Sequence, residues 1–207
     1  MTRQVSSDIA FTPAVKAIQA ARGSRASYEK MERRGGWRID IDDELAAFIA
    51  QQQSIFLATA NAEGQPYIQH RGGPAGFLRV LDSRTIGFAD FRGNRQFISL
   101  GNLSENPKVH LFLIDYATQM RVKVWGTARV VTDDAELLTK LQPEGYDAKA
   151  EQAILITVQA WDPNCRQHIP QRIDASQVAR ALADRDARIA ALESEVARLR
   201  DQARSRA

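Results

Sequence analysis

Between residues 54 and 161 apolar and polar side chains alternate in short runs, the two-residue period of strands with one buried face. Such runs fall at 54–61, 65–71, 76–81, 85–90, 109–115, 121–132 and 153–161. Glu63-Gly64 supplies a hairpin turn between the first two. Helical spacing precedes the strands once and interrupts them twice. Residues 40–53 place Leu45, Phe48 and Ile49 inward. Residues 95–106 open behind Asn94, a favoured N-cap, and close at Asn106-Pro107. Residues 133–141 begin with Asp133-x-x-Glu136, the spacing of a capping box. Short strands, regular turn signals and few helices predict a mainly β (α+β) chain, an antiparallel barrel rather than a parallel α/β sheet.

The flanks follow other periods. Residues 1–36 read as a basic helical arm. Thr12 caps and Pro13 opens a helix whose Val15, Ile18 and Ala21 share one face until Gly23, and Gly35-Gly36 end the arm. Residues 1–38 hold eight Lys/Arg against three Asp/Glu, so the arm is either a solvated face or a strap over an anionic ligand or a neighbouring subunit. The barrel then occupies 37–175. In the tail, 176–207, Val178, Leu182, Ile189, Leu192, Val196 and Leu199 recur at steps of four and three, with Arg185 breaking the seam. This predicts a short coiled coil that reinforces an oligomer; the alternative is an amphipathic helix packed on its own domain.

Composition narrows the function classes. With 207 residues, 44% of them hydrophobic, the chain has material for one domain of ordinary size plus extensions. A net charge of +3 favours small anions at least as much as nucleic acid. The single cysteine, Cys165, excludes an internal disulfide, and no apolar run approaches the roughly 18 residues of a membrane span. The expectation is a soluble cytoplasmic protein.

The chemistry concentrates at one strand-to-helix corner, "FADFRGNRQFISLGNLSENP". A helix opening at Asn94 presents backbone N–H groups beside Arg92 and Arg95, with Gln96 and Ser99 in the next turn. Oriented donors, a positive helix end and guanidinium forks make a phosphate site, and Gly93 lets backbone approach an oxygen. Alone, the corner is equally an ordinary capped turn. His70 and Arg71 end an earlier strand, and Gly72-Gly73-Pro74 strips side chains from the next positions, leaving room for a flat ring. Arg121, Lys123 and Trp125 share one strand face, which either meets solvent or an anionic aromatic ligand. Cys165-x-x-His168 has metal-like spacing but no second pair, so no metal site is expected.

"ANAEGQPYIQHRGG", "FADFRGNRQFISLGNLSENPKV" and "RVKVWGTARVV", in this order, resemble the FMN-binding split-barrel proteins related to pyridoxamine 5'-phosphate oxidase. The resemblance implies a six-stranded Greek-key split barrel and a homodimer with FMN at the interface. It carries cofactor-binding roles to His70, Arg71, Gly72, Gly73, Asp90, Asn94, Arg95, Gln96, Ser99, Arg121, Lys123 and Trp125. Trp161, His168 and Arg172 take the places of residues near flavin and substrate. Arg71-Gly72-Gly73-Pro74 replaces the family's Arg-x-x-Leu-Leu-Lys, and Arg95-Gln96 its Arg-Lys pair. These departures weigh against pyridoxamine phosphate as substrate and leave flavin binding intact.

Two arginines and a helix end supply on the order of 4–7 kcal/mol, whereas nanomolar binding needs about 12. The flavin ring must therefore be buried, with Phe77, Phe91 and Trp125 as candidates. The leading expectation is an FMN-dependent oxidoreductase acting on a small organic or cofactor-like substrate, with Lys123 or Arg121 stabilising reduced flavin. A non-catalytic flavin carrier or sensor is the alternative. A third possibility is single-stranded nucleic acid bound through Arg92, Arg121, Lys123 and Trp125.

Overall fold

A computed structural model describes residues 5–164 and 166–205; Cys165, and with it the Cys165-x-x-His168 spacing, lies outside the described residues. A 3-10 turn, Ser6–Ile9, precedes helices α1 (Pro13–Ala21), α2 (Arg25–Arg33) and α3 (Asp43–Ala50). Strands β1 (Ser54–Ala60), β2 (Pro66–Gly72), β3 (Leu78–Asp82) and β4 (Thr85–Phe91) follow. Helix α4 (Ile98–Glu105) leads to β5 (Lys108–Asp115) and β6 (Met120–Val131). Helix α5 (Ala135–Leu141), β7 (Ala150–Asn164) and α6 (Ala175–Arg204) complete the chain.

The strands form one antiparallel sheet in the order β2-β1-β5-β6-β7-β4-β3. There are thus seven strands, where the family resemblance implied six: each extended segment pairs, including β3, whose Leu78 lies opposite Phe88 of β4. The order curls back on itself, because Arg71 on the edge strand β2 forms an ion pair at 2.5 Å with Asp90 on β4, the neighbour of the other edge strand. The sheet is curled into a split barrel, its seam bridged by side chains instead of a ladder.

Alternation places the core. Ile55 and Leu57 of β1, Leu111 and Leu113 of β5, and Val122 and Val124 of β6 point inward and are at most 3% exposed. Leu45 and Ile49 of α3 join this cluster, their helix capped by Asp42, whose Oδ1 accepts the Leu45 N–H at 2.9 Å. The unbroken apolar run in β7 serves two faces: Ile154 and Ile156 enter the barrel core, while Ala153 and Leu155 pack with Leu141 of α5. Register shifts between Trp125 and Gly126. A Cβ at Gly126 would stand 2.4 Å from the Thr157 carbonyl oxygen, so only glycine lets β7 approach there.

Two helices differ from expectation. The α5 cap is Asp134, which accepts the Leu137 N–H at 2.8 Å, one residue beyond Asp133. In α1, Thr12 caps as expected, accepting from the Val15 N–H, but Ile18 stays 63% exposed while Gln19 is buried. Gln19 accepts a hydrogen bond from Arg25 at 2.5 Å, so a polar contact decides which face turns inward.

Tyr116–Gln119 and the chain from His168 onward form a second compact unit. Its loop is stitched by Gln171 Nε2 donating to the Ala117 carbonyl at 3.0 Å, and Arg172 lies over the Tyr116 ring at 4.6 Å. The long helix α6 starts at Asp174, whose Oδ1 accepts the Ser176 N–H at 2.7 Å.

Candidate functional site

The corner after β4 is not the simple helix start that its sequence predicts. Arg92 still follows the sheet, donating its N–H to the Lys149 carbonyl at 2.9 Å. Arg95 and Phe97 then adopt left-handed conformations, φ 58° and 57°, and α4 begins only at Ile98. Asn94 is therefore not its N-cap; its Oδ1 accepts the Gln96 N–H at 3.3 Å in a local turn. Left-handed backbone is disfavoured for side chains with a Cβ by on the order of 1–3 kcal/mol each, and such conformations cluster where a segment serves a ligand. Their effect here is a loop that bows away from the sheet ahead of the unpaired N–H groups of the first turn of α4.

Beneath the loop lies a cleft of about 280 Å3. Arg71, Asn94, Arg95, Gln96 and Ser99 line it, as does Gln69. Ser99 is 2% exposed and donates to Gln69 Oε1 at 2.7 Å, tying α4 to β2. Asp90, 8% exposed, takes Arg71 on one oxygen and Gln152 Nε2 at 2.9 Å on the other. The Arg71 Nε is buried without a hydrogen-bond partner, an orphaned donor at the lining of the cleft. Gly93 meets nothing within 4 Å of where a Cβ would stand, so the loop is open at that point.

The charges do not cancel. Arg71 is matched by Asp90, whereas Arg92 and Arg95 share one carboxylate, Glu151, each with Nε at 3.9 Å. Counted with Arg92, which stands beside the cleft and not in its lining, three guanidinium groups meet two carboxylates; the lining alone holds two of each. Arg95 is half exposed and held loosely, resting over the Phe97 ring at 5.3 Å. A mobile fork, open backbone and a helix end are a fitting donor set for a phosphate monoester.

Sequence reasoning missed Gln69 and Glu151. Gln69 was detectable: two residues from Arg71 on one strand, it must share that face. His70, one residue away, points to the other side, where Nε2 meets Ser54 Oγ at 2.8 Å; its ring reaches only a smaller neighbouring cavity of about 190 Å3. Glu151 arrives through the β4–β7 register, in which Asp90 faces Gln152 and Phe91 faces Ala150.

Other expected positions are not gathered at the cleft. A Cβ on Gly73 would lie 2.7 Å from Phe77, and one on Gly72 2.8 Å from His70, so neither position has room for a side chain; Gly72 lines the smaller cavity beside the cleft. Phe77 itself is 1% exposed in the core, leaving Phe91 as the ring candidate that lines the cleft. Arg121, Lys123 and Trp125 do share the outer face of β6, because Val122 and Val124 point inward, yet none of them lines the cleft of this chain. That face is already furnished. Trp37, just after the arm, stacks on Trp125 at 4.5 Å and 12°, and Lys123 pairs with Asp162 at 2.9 Å and lies 5.3 Å over the Trp125 ring. The His110 ring meets Trp125 edge-on at 4.8 Å, and its pKa is pushed below the ordinary value by burial first and by the Lys123 charge second. With Trp37 against it, Trp125 is not an open stacking platform for bases.

Trp161 is corrected outright. It is 3% exposed, packs in the barrel core and donates its indole N–H to the Asp40 carbonyl at 2.9 Å, so it is sealed from substrate. His168 and Arg172 belong to the second unit, His168 exposed with φ 64°.

Known structures of the same architecture exist. HupZ of Group A Streptococcus shares 22% identity, with 64% of this chain and 99% of that chain covered and a TM-score of 0.50. An FMN-binding protein from Syntrophomonas wolfei shares 14%, covering 72% and 97%, with a TM-score of 0.49. HutZ, a haem storage protein from Vibrio cholerae, shares 18%, covering 58% and 89%, with a TM-score of 0.38. No curated protein matches the chain. At these identities the first likeness speaks for the fold alone. The stronger finding is a family model, pyridoxamine 5'-phosphate oxidase, that matches residues 41–165, more than half of the chain and every strand around the cleft: the chain belongs to the pyridoxamine 5'-phosphate oxidase family.

Proposed function

We propose that this protein binds FMN, with the phosphate in the cleft under the 92–97 loop, and that it is an oxidoreductase for a small organic or cofactor-like substrate. The observation that carries the reading is the cleft lined by Arg71, Arg95 and the open backbone at Gly93, with Arg92 beside it as a guanidinium that has no carboxylate of its own. Arg95 exchanges its long contact with Glu151 for a phosphate oxygen, a charge-assisted bond contributing roughly 1.5–3 kcal/mol. Gln69 fixes the Ser99 hydroxyl at the first turn of α4. Asp90 holds the Arg71 guanidinium in place at the lining of the cleft.

The cleft holds only part of FMN. Its 280 Å3 falls below the roughly 300–1,000 Å3 of small-molecule pockets, and Phe91 is the one ring of the expected three that lines it. A second copy of the chain completes the pocket over the flavin ring, as the family resemblance implies. FMN, when bound, supplies the hydride chemistry; the protein supplies orientation, charge and exclusion of water. No histidine, cysteine, lysine or tyrosine lines the cleft among the described residues, which favours one further reading: a flavin carrier or sensor without turnover.

Both readings require FMN, and a desalting experiment tests it. Protein mixed with FMN and separated from free ligand retains visible flavin absorbance; protein that emerges colourless overturns the proposal. Bleaching of the bound flavin by NAD(P)H at catalytic rates then selects the oxidoreductase over the carrier.

A further inference from the structure

We propose that α6 pairs with α6 of a second copy of this chain as a parallel, in-register, two-stranded coiled coil. The helix runs for 30 residues, about 45 Å. Along it Val178, Leu182, Ile189, Leu192, Val196 and Leu199 form a single stripe, each 43–53% exposed. Setting Leu182, Ile189 and Val196 at heptad position a puts Val178, Arg185, Leu192 and Leu199 at d. In the C-terminal half, Ile189 and Val196 at a with Leu192 and Leu199 at d suit two parallel strands.

The flanking charges choose the occupant. In this frame Arg188 and Glu195 stand at g, and Glu193 and Arg200 at e. A parallel pair brings each g residue against the e residue five positions on in the other helix. Arg188 then faces Glu193 of the second copy, and Glu195 faces Arg200 of the second copy: two opposite-sign pairs, made twice by symmetry. Within its own helix Glu195 receives Arg198 at 2.5 Å, and a carboxylate has lone pairs for both arginines. The stripe is thus complementary to itself.

The flanking charges also set the register, against the cost of Arg185, which meets Arg185 of the second copy in its own layer. A d side chain enters a hole whose rim includes the e residue of the facing helix, here Asp186 of the second copy. In register, each Arg185 lies beside Asp186 of the second copy and the g–e pairs are opposite in sign; shifted by one heptad, Arg188 faces Arg200 and Glu195 faces Glu193, like charges in both places. A parallel pair also sets the two Asp174 ends side by side. The barrels that precede them are then tethered at an effective concentration of about millimolar. That benefit to a two-copy flavin pocket rests on the proposed function, whereas the pairing itself does not.

The test uses the full chain with Cys165→Ser and Val196→Cys, oxidised mildly at micromolar concentration. Position a meets its own copy only when the helices are parallel and in register, so the expected product is a disulfide-linked dimer. Adding Arg188→Glu opposes like charges and slows cross-linking roughly tenfold; adding Glu193→Arg to that variant restores the rate. Circular dichroism of each variant confirms that α6 is retained. No cross-link, as for an antiparallel pair, a helix docked on its own domain or a different partner, overturns the proposal, and so does a rate indifferent to both charge changes. FMN retention by the same samples is scored separately, so either claim can fail alone.

Discussion

Arg71 on one edge strand of the sheet and Asp90 beside the other are joined at 2.5 Å, their side chains 15% and 10% exposed. This contact closes the split barrel across its seam and also holds the guanidinium at the lining of the cleft. Removing one partner of a nearly buried pair leaves a charge without compensation, which costs about 3–5 kcal/mol. Asp90→Ala is therefore expected to lower the urea midpoint by that amount of stability, while Arg71→Met with Asp90→Leu recovers most of it. Equal losses in the single and double variants would show that the pair does not act as a unit.

Glycines at two places separate binding from folding. Gly93 has open space where a Cβ would go, so Gly93→Ala is expected to leave thermal stability unchanged and to weaken FMN binding by crowding the phosphate. Gly126→Ala forces a carbon to 2.4 Å from the Thr157 oxygen and is expected to destabilise the β6–β7 ladder instead. Thermal denaturation and flavin titration of both variants check the contrast.

His110 gives the barrel a pH dependence of known sign. Its pKa is held below the ordinary 6.5 by burial and by Lys123, so the unfolded chain takes up a proton that the folded one refuses. Between the lowered value and 6.5 the unfolded state binds more protons, and stability falls as pH falls through that window, by at most about 1.4 kcal/mol per pH unit. Above it the contribution is constant. The difference in stability between the protein and His110→Gln, followed by denaturant melts, is expected to change below pH 6.5 and to stay flat above it.

The barrel was legible because inward and outward residues alternate faithfully in β1, β5 and β6, where Ile55, Leu111 and Val122 all have polar or half-buried neighbours. The corner was legible in composition and not in shape. Nothing local marks Arg95 and Phe97 as left-handed, since residues with a Cβ rarely take that conformation and no glycine or asparagine stands at either position. Trp161 misled for a related reason. A tryptophan near basic residues suits a flavin edge as well as a core, and only the long-range contact with Asp40 decides between them. Gln69 was legible from strand period alone, while Glu151 depended on which strand β7 chose as neighbour.

The most direct measurement compares FMN with riboflavin, which lacks the phosphate. If the loop between β4 and α4 grips that group, FMN binds at least about a hundredfold more tightly than riboflavin, and Arg95→Ala weakens FMN by roughly ten- to a hundredfold while leaving riboflavin unchanged. Equal affinity for the two flavins, or an Arg95→Ala variant that binds FMN as the parent does, would contradict the assignment of the cleft.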